Sequence, residues 1–209
     1  MTYIKKKSSL FALFVILAAV FCAYAVQTAI TQRITGVTIQ YVQYELSADG
    51  TRTELGTETA YVSANGSWRT ERRSLNGHVE QVFFTDISRA GVFMINGGSR
   101  EALKLDTFTP KTTPHSNAAG YRNHPNFIGE EVVQGFTAFV QRIISPEGRV
   151  EAEYAFVPEF DTRAVKELHY RTDGGRRILE AVSINFGEPD ARLFQVPSNL
   201  TIVEALVNQ

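Results

Sequence analysis

The sequence predicts an all-β fold, an antiparallel meander of short strands in one domain. Three observations carry this reading. Beyond residue 35, β-branched and aromatic residues recur in short runs, several of them alternating with polar residues. The runs stop at turn-forming steps: Ala48-Asp49-Gly50, Asn65-Gly66, Asn76-Gly77, Gly97-Gly98, Pro146-Glu147-Gly148 and Asp173-Gly174-Gly175. None of these stretches sustains a helical period.

The N-terminus has another character. Lys5, Lys6 and Lys7 precede an uncharged run from Ser8 to Ile30, apolar at its centre, and Ala23-Tyr24-Ala25 follows that centre. A basic start, a short apolar region and an A-x-A end make a secretory signal peptide, cleaved after Ala25. The alternative is an uncleaved anchor, because about 20 apolar residues span a bilayer. Membrane contact would then run through this segment alone. A lipoprotein reading is weaker, since Phe21 is too large for the position before a lipidated Cys22. The expected domains are therefore 1–25, the signal peptide, and 26–209, a single β-sheet domain exported to the periplasm.

Cleavage removes the only cysteine and three of the 21 basic residues, leaving 18 against 22 acidic ones, a net charge of about −4. An exported chain without disulfides must be stabilised by an ordinary core, and this one is long enough to bury one. The mildly acidic balance argues against a nucleic-acid partner, which needs a clustered basic face. Arg69, Arg72 and Arg73 are interrupted by Glu71 and read as a solvated strand.

Taken in order, Gly36–Leu46 reads as the first strand. Runs ending at Asn65-Gly66 and Asn76-Gly77 follow, and these two pairs predict hairpins with type I′ turns. HVEQVFFT, VFMIN and ALKLD complete the first half. A long loop at about 107–127, with three prolines and no apolar periodicity, then interrupts the sheet as a flap. In the second half, Val150, Ala152, Tyr154 and Phe156 share one face and Glu151 and Glu153 the other. Val182, Ile184 and Phe186 alternate likewise with Ser183 and Asn185. Val132 to Ile144 reads as one strand apolar on both faces. Val132, Phe136, Ala138 and Val140 fall on one and Val133, Phe139 and Ile143 on the other. Such a strand is covered twice, by the flap, a partner or an apolar ligand.

Three pieces carry a resemblance. They are Gly129 to Val140 (G-x-x-x-x-x-G-F within it), Phe156-Val157-Pro158-Glu159-Phe160, and Gly187-Glu188-Pro189-Asp190-Ala191-Arg192-Leu193-Phe194-Gln195-Val196-Pro197. Together they resemble exported bacterial proteins related in fold to the outer-membrane lipoprotein carriers and receptors (LolA/LolB-like). The resemblance implies a strongly curved antiparallel sheet, an unclosed barrel whose concave apolar face holds acyl chains. In those proteins a helical lid covers that face; no helical period of lid length follows the signal peptide here. Read physically, Pro189 and Asp190 suit the start of a helical turn. Leu193 and Phe194 would fold back as a plug on the open end of the sheet. Pro197 then sends the chain out extended for a last strand, Leu200 to Val207.

No catalytic or metal motif stands out. Of the four histidines, His78, His115, His124 and His169, the pair His115 and His124 is nine residues apart in the loop, a wide spacing for metal ligands on one element. His169, between Leu168 and Tyr170, reads as part of an exposed strand face rather than of a charge relay. No G-x-S-x-G, H-E-x-x-H or P-loop occurs. No cofactor is expected, and the chain reads as a non-enzyme. Two roles remain. One is a periplasmic binding protein for a lipid, acyl chain or lipoprotein segment on the concave face. Its candidate wall is Trp68, Phe84, Phe93, Phe136, Phe139, Tyr154, Phe156 and Phe186. The other is a structural or interaction domain of the cell envelope, with an envelope protein as partner, a solid core and no ligand. Aromatic side chains dominate burial in any β domain, so each wall residue equally suits a core.

Overall fold

The computed structural model describes residues 36–107, 118–160 and 163–204, all within a compact unit running from Ile34 to Gln209. The segment expected to be a signal peptide, residues 1–25, and its expected cleavage site lie outside the described residues. Among the described residues, twelve strands form one sheet. In chain order they are β1 (Gly36–Leu46), β2 (Arg52–Ser63), β3 (Trp68–Ser74), β4 (Val79–Asp86), β5 (Gly91–Asn96) and β6 (Glu101–Thr107). Then come β7 (Phe127–Val133), β8 (Phe136–Ile144), β9 (Val150–Phe156), β10 (Ala164–Tyr170), β11 (Arg176–Phe186) and β12 (Thr201–Glu204). Their spatial order is β12-β6-β5-β4-β3-β2-β1-β11-β10-β9-β8-β7. The meander is thus two runs of neighbours, joined where β1 meets β11, and its end strands β12 and β7 are not paired with each other. The sheet is curved and unclosed, as the resemblance implied. Bulges at Gln40/Tyr41, Gln43/Tyr44 and Ala164/Lys166 add local twist near its centre.

Every neighbouring pair is antiparallel except β6 and β12, where Ile202 lies opposite Ala102 in a parallel register. A plain meander does not anticipate this. The chain reaches the edge by running back across the sheet from β11, and so arrives parallel to β6. The last strand starts at Thr201 and is described to Glu204; residues 205–207 of the expected strand lie outside the described residues.

Five hairpins share one loop form. Ser47, Ser63, Ser74, Ser145 and Arg171 each accept, on the carbonyl oxygen, a bond from the N–H of the glycine three residues on, at 2.9–3.2 Å. Each also donates its own N–H to the carbonyl of the residue after that glycine, at 2.8–3.0 Å. This is the three-residue loop, a type I turn closed by a left-handed glycine. Asn65 and Asn76 do not have positive φ, so their hairpins form but not through the expected type I′ turn. That geometry occurs instead at Gln134 (φ 50°) and Gly135 (φ 83°), between β7 and β8. The stretch from Val132 to Ile144 is therefore not one strand but the end of one, a two-residue turn and the whole of the next. Gln-Gly is a poor turn signal, which is why the run looked continuous.

The two faces of the sheet can be named by Tyr41 and Tyr44, which point oppositely from β1. On the Tyr44 face, Phe84, Phe93, Val82 and Ala102 form a buried cluster with Val196, and Phe84 stacks on Phe93 with ring centroids 5.7 Å apart. The C-terminal segment covers it. Asp190 caps a 3-10 turn, Ala191–Phe194, by accepting from the Arg192 N–H at 2.9 Å. This turn puts buried Phe194 against β3 and β4. The plug thus forms, but on a face of the sheet rather than at its end. Arg69 donates to the Leu193 carbonyl at 3.0 Å, and the buried Asp86 carboxylate accepts from the Val196 N–H at 3.1 Å. Arg69 and Arg73 both bind Glu71, whose side chain is 11% exposed, as is 13% of that of Arg69. The strand expected to be solvated is therefore a partly buried ion-pair network under the C-terminal turn.

Candidate binding face

The Tyr41 face carries the larger core: Val37, Ile39 and Tyr41 from β1, Ala60 from β2, and Leu179 and Ala181 from β11. An apolar face this wide must be covered, and no long helix is described that could do so. Among the described residues, α-helix is confined to α1 (Ala118–Arg122). The cover is the connection between β9 and β10. Val157 (0% exposed) and Phe160 (1%) pack into the core, and Phe160 sits in a 3-10 turn, Pro158–Phe160. Pro158 starts that turn because its fixed φ suits a first helical position. The aromatic-x-Pro-acid step singled out in the sequence is what turns this segment over the sheet.

Polar side chains pin the cover down. The Tyr41 hydroxyl donates to the Ala164 carbonyl at 2.8 Å, and Arg163 donates to the Tyr41 oxygen at 3.4 Å and to the carboxylate of Glu58 on β2. Burial pushes the Tyr41 phenol up to about 12, although the Arg163 charge pulls it back. Burial likewise raises the Glu58 carboxyl above the usual carboxylate range, against the pull of Arg163. Desolvation offsets much of the Coulomb gain of an ion pair buried in this way, so its net contribution to stability is small.

The eight aromatic residues expected to line a wall fall into separate groups. Trp68, on β3, borders a cavity of about 220 Å³ between Ala60 and Val62 of β2 and Phe160 of the cover. Phe136 and Phe186 surround Phe160, with ring centroids 5.1 and 5.7 Å from it, and Phe186 is 54% exposed. Phe139 and Phe156 stack under Tyr121 of α1 at 5.7 and 5.8 Å, and Tyr154 stacks on Phe156 at 6.1 Å. Phe84 and Phe93 belong to the Tyr44 face, beneath the C-terminal segment. The double cover expected around Val132–Ile144 is real at β8. Phe139 is covered by α1, which ends the long loop, and Ala138 on the other face joins the large core. The rest of that loop, residues 108–117, and with it His115, lies outside the described residues.

A second, polar groove of about 490 Å³ adjoins the first cavity, and Thr70 and Arg163 line both. Arg72, Arg171, Arg177 and His169 contribute to it, with Glu58 and Glu167. His169 stands edge-on to Tyr154, 5.6 Å between centroids, with Nε2 3.4 Å from Glu167. Sequence reading missed this groove. Its residues lie on β1, β2, β3, β4, β10 and β11 and in the connections beside β10, and only the strand order brings them together. The alternation of charged residues along β3 and β10 was the one available signal.

Among the described residues no three His, Cys, Asp or Glu side chains converge as metal ligands, and no helix is long and apolar enough to cross a membrane.

Fold and face define a curved, unclosed, mostly antiparallel sheet whose larger apolar face is covered by its own β9–β10 connection. No family model matches the chain, and no curated protein does. Among solved structures it is similar to a LolA superfamily protein from Nitrosomonas europaea, at 7% identity over 78% of this chain and 91% of that one, with a TM-score of 0.43. It is also similar to MucB, at 16% identity and a TM-score of 0.43, covering 82% of this chain and 60% of that one. A DUF1329 family protein from Desulfovibrio piger matches at 10% identity and a TM-score of 0.33, over 82% of this chain and 96% of that one.

Proposed function

We propose that the chain is an exported, periplasmic, non-enzymatic binding protein that holds a lipid, an acyl chain or a lipoprotein segment on the Tyr41 face. The observation that carries this is the cavity beside Phe160. The cover does not fill the face completely. It leaves about 220 Å³ bordered by Trp68, Val62 and Ala60, and opens toward a larger polar groove. Burying acyl carbons there gains about 0.8 kcal/mol per methylene. The signal peptide read from residues 1–25 supplies the compartment.

A panel of long-chain amphiphiles in a thermal-shift assay tests this. Binding raises the melting temperature progressively once the ligand exceeds its dissociation constant. No shift with any member would overturn the binding role. The second reading, an envelope structural domain with a solid core, rests on the near-complete burial of Val157 and Phe160. A silent panel would favour it.

A further inference from the structure

Resting on that binding reading, we propose that the ligand is an anionic amphiphile: its chain occupies the cavity beside Phe160 and its charged head group sits on Arg72 in the adjoining groove. Thr70 and Arg163 line both cavities, which sets them side by side, within reach of one molecule. Their linings differ in the way an amphiphile's two ends differ. The smaller has its apolar wall in Trp68, Val62, Ala60 and Phe160, with Arg69, Thr70 and Arg163 on its polar side. The larger is lined mainly by arginines and carboxylates, with Phe83 and Leu179 among them.

The charges in the groove are mostly engaged. Glu58 binds Arg163, Glu45 binds Arg171 and Arg177 at 3.0 and 2.9 Å, and Glu167 lies beside His169. The Nε of Arg72 is the exception: the Arg72 charge acts on Glu58, but this nitrogen is buried and has no hydrogen-bond partner. A buried guanidinium N–H left unmatched is costly, and an anion is the ligand that matches it, by charge-assisted hydrogen bonds. Arg72 lies directly across from Glu58 in the β2–β3 register, two residue pairs along from Ala60 and Thr70 and so next to them on the same face, which sets the head-group position beside the mouth of the apolar cavity. The chemistry required is a phosphate, sulfate or carboxylate carried on an alkyl chain.

Trp68 is the chain's single tryptophan and borders the apolar cavity, so its emission reports occupancy directly. The full exported chain would be titrated with dodecyl phosphate, dodecyl maltoside and inorganic phosphate, each detergent below its micelle concentration. The expected result is a blue shift of Trp68 emission with both detergents, at roughly tenfold or more lower concentration for the phosphate. Arg72→Gln should abolish that preference without weakening the maltoside, and Arg72→Lys should keep part of it. Melting curves of both variants would show that they fold. Equal affinity for the two detergents in the wild type overturns the head-group assignment and leaves the binding role standing. Inorganic phosphate binding as tightly as dodecyl phosphate overturns the amphiphile and makes the groove a simple anion site. No response of emission or melting temperature to either detergent overturns both.

Discussion

The phenol of Tyr41 donates to the carbonyl oxygen of Ala164 at 2.8 Å, a bond that joins residues 123 positions apart in the chain. Tyr41 is 1% exposed, so this pair sits in the core and holds the β9–β10 connection onto β1. Tyr41→Phe keeps the ring but leaves that carbonyl without this donor and removes one acceptor from Arg163. The expected cost is about 1–3 kcal/mol, read as a lower denaturant midpoint at unchanged slope. A neutral result would mean that the cover is held by packing alone.

Packing is tested by Phe160 itself. Phe160→Ala removes the ring that fills the Tyr41 face and should cost about 3–5 kcal/mol. Phe160→Leu conserves most of the volume and should cost less than half as much. Comparable losses in the two variants would show that the segment acts through its backbone and not through the ring.

The sequence made the strands legible because their signal is local. Gly36–Leu46 was read with the bounds the structure gives it, and most of the Gly-bearing turns fall between strands as expected. The type of turn was not legible at Asn65-Gly66. A three-residue and a two-residue loop use the same dipeptide, and the choice depends on how the flanking strands pair. The site was less legible still. Trp68 and Phe136 were picked out as aromatics, yet Phe160, which meets both groups, was noticed only as part of a motif. Arg72, Arg163 and Glu58 converge through strand order, and no spacing along the chain encodes that.

The C-terminal turn offers a pair of contrasting substitutions. Phe194 is buried against β3 and β4, whereas the Arg192 side chain is 86% exposed. Phe194→Ala should cost about 3 kcal/mol, and Arg192→Ala within about 0.5 kcal/mol of nothing. Equal midpoints for the two would show that the turn contributes no packing.

Asp190 makes the same turn sensitive to acid. The Arg192 side chain, and then its backbone N–H, hold the Asp190 carboxyl at about 2, below its ordinary 3.8. A carboxyl depressed by folding contributes stability above its unfolded pKa and loses it as pH falls through the folded one. The wild type should therefore lose more melting temperature between about pH 4 and pH 2 than Asp190→Asn, which has no proton to take up there. Parallel curves for the two proteins would show that the capping contact does not persist in solution.

The β7–β8 hairpin predicts a gain. Gln134 sits at φ 50°, one of two non-glycine residues with positive φ among the described residues. An L side chain there costs about 1–2 kcal/mol, less for Asn, whose short amide tolerates the left-handed region. Gln134→Gly, and to a smaller degree Gln134→Asn, should raise stability, by about 0.5–1 kcal/mol for the better of the two. Gln134→Val should lower it, because a β-branched residue fits that region worst. Asn65→Gly is the control. Asn65 does not have positive φ, so glycine there relieves nothing, adds entropy to the unfolded chain and removes the Oδ1 that accepts from the Ser67 N–H at 2.9 Å. Denaturant midpoints of the four variants should rank Gln134→Gly above wild type and Asn65→Gly below it. If both glycine substitutions lowered the midpoint alike, Gln134 would not occupy a left-handed turn, and β7 and β8 would not be joined by the two-residue loop that sets their register.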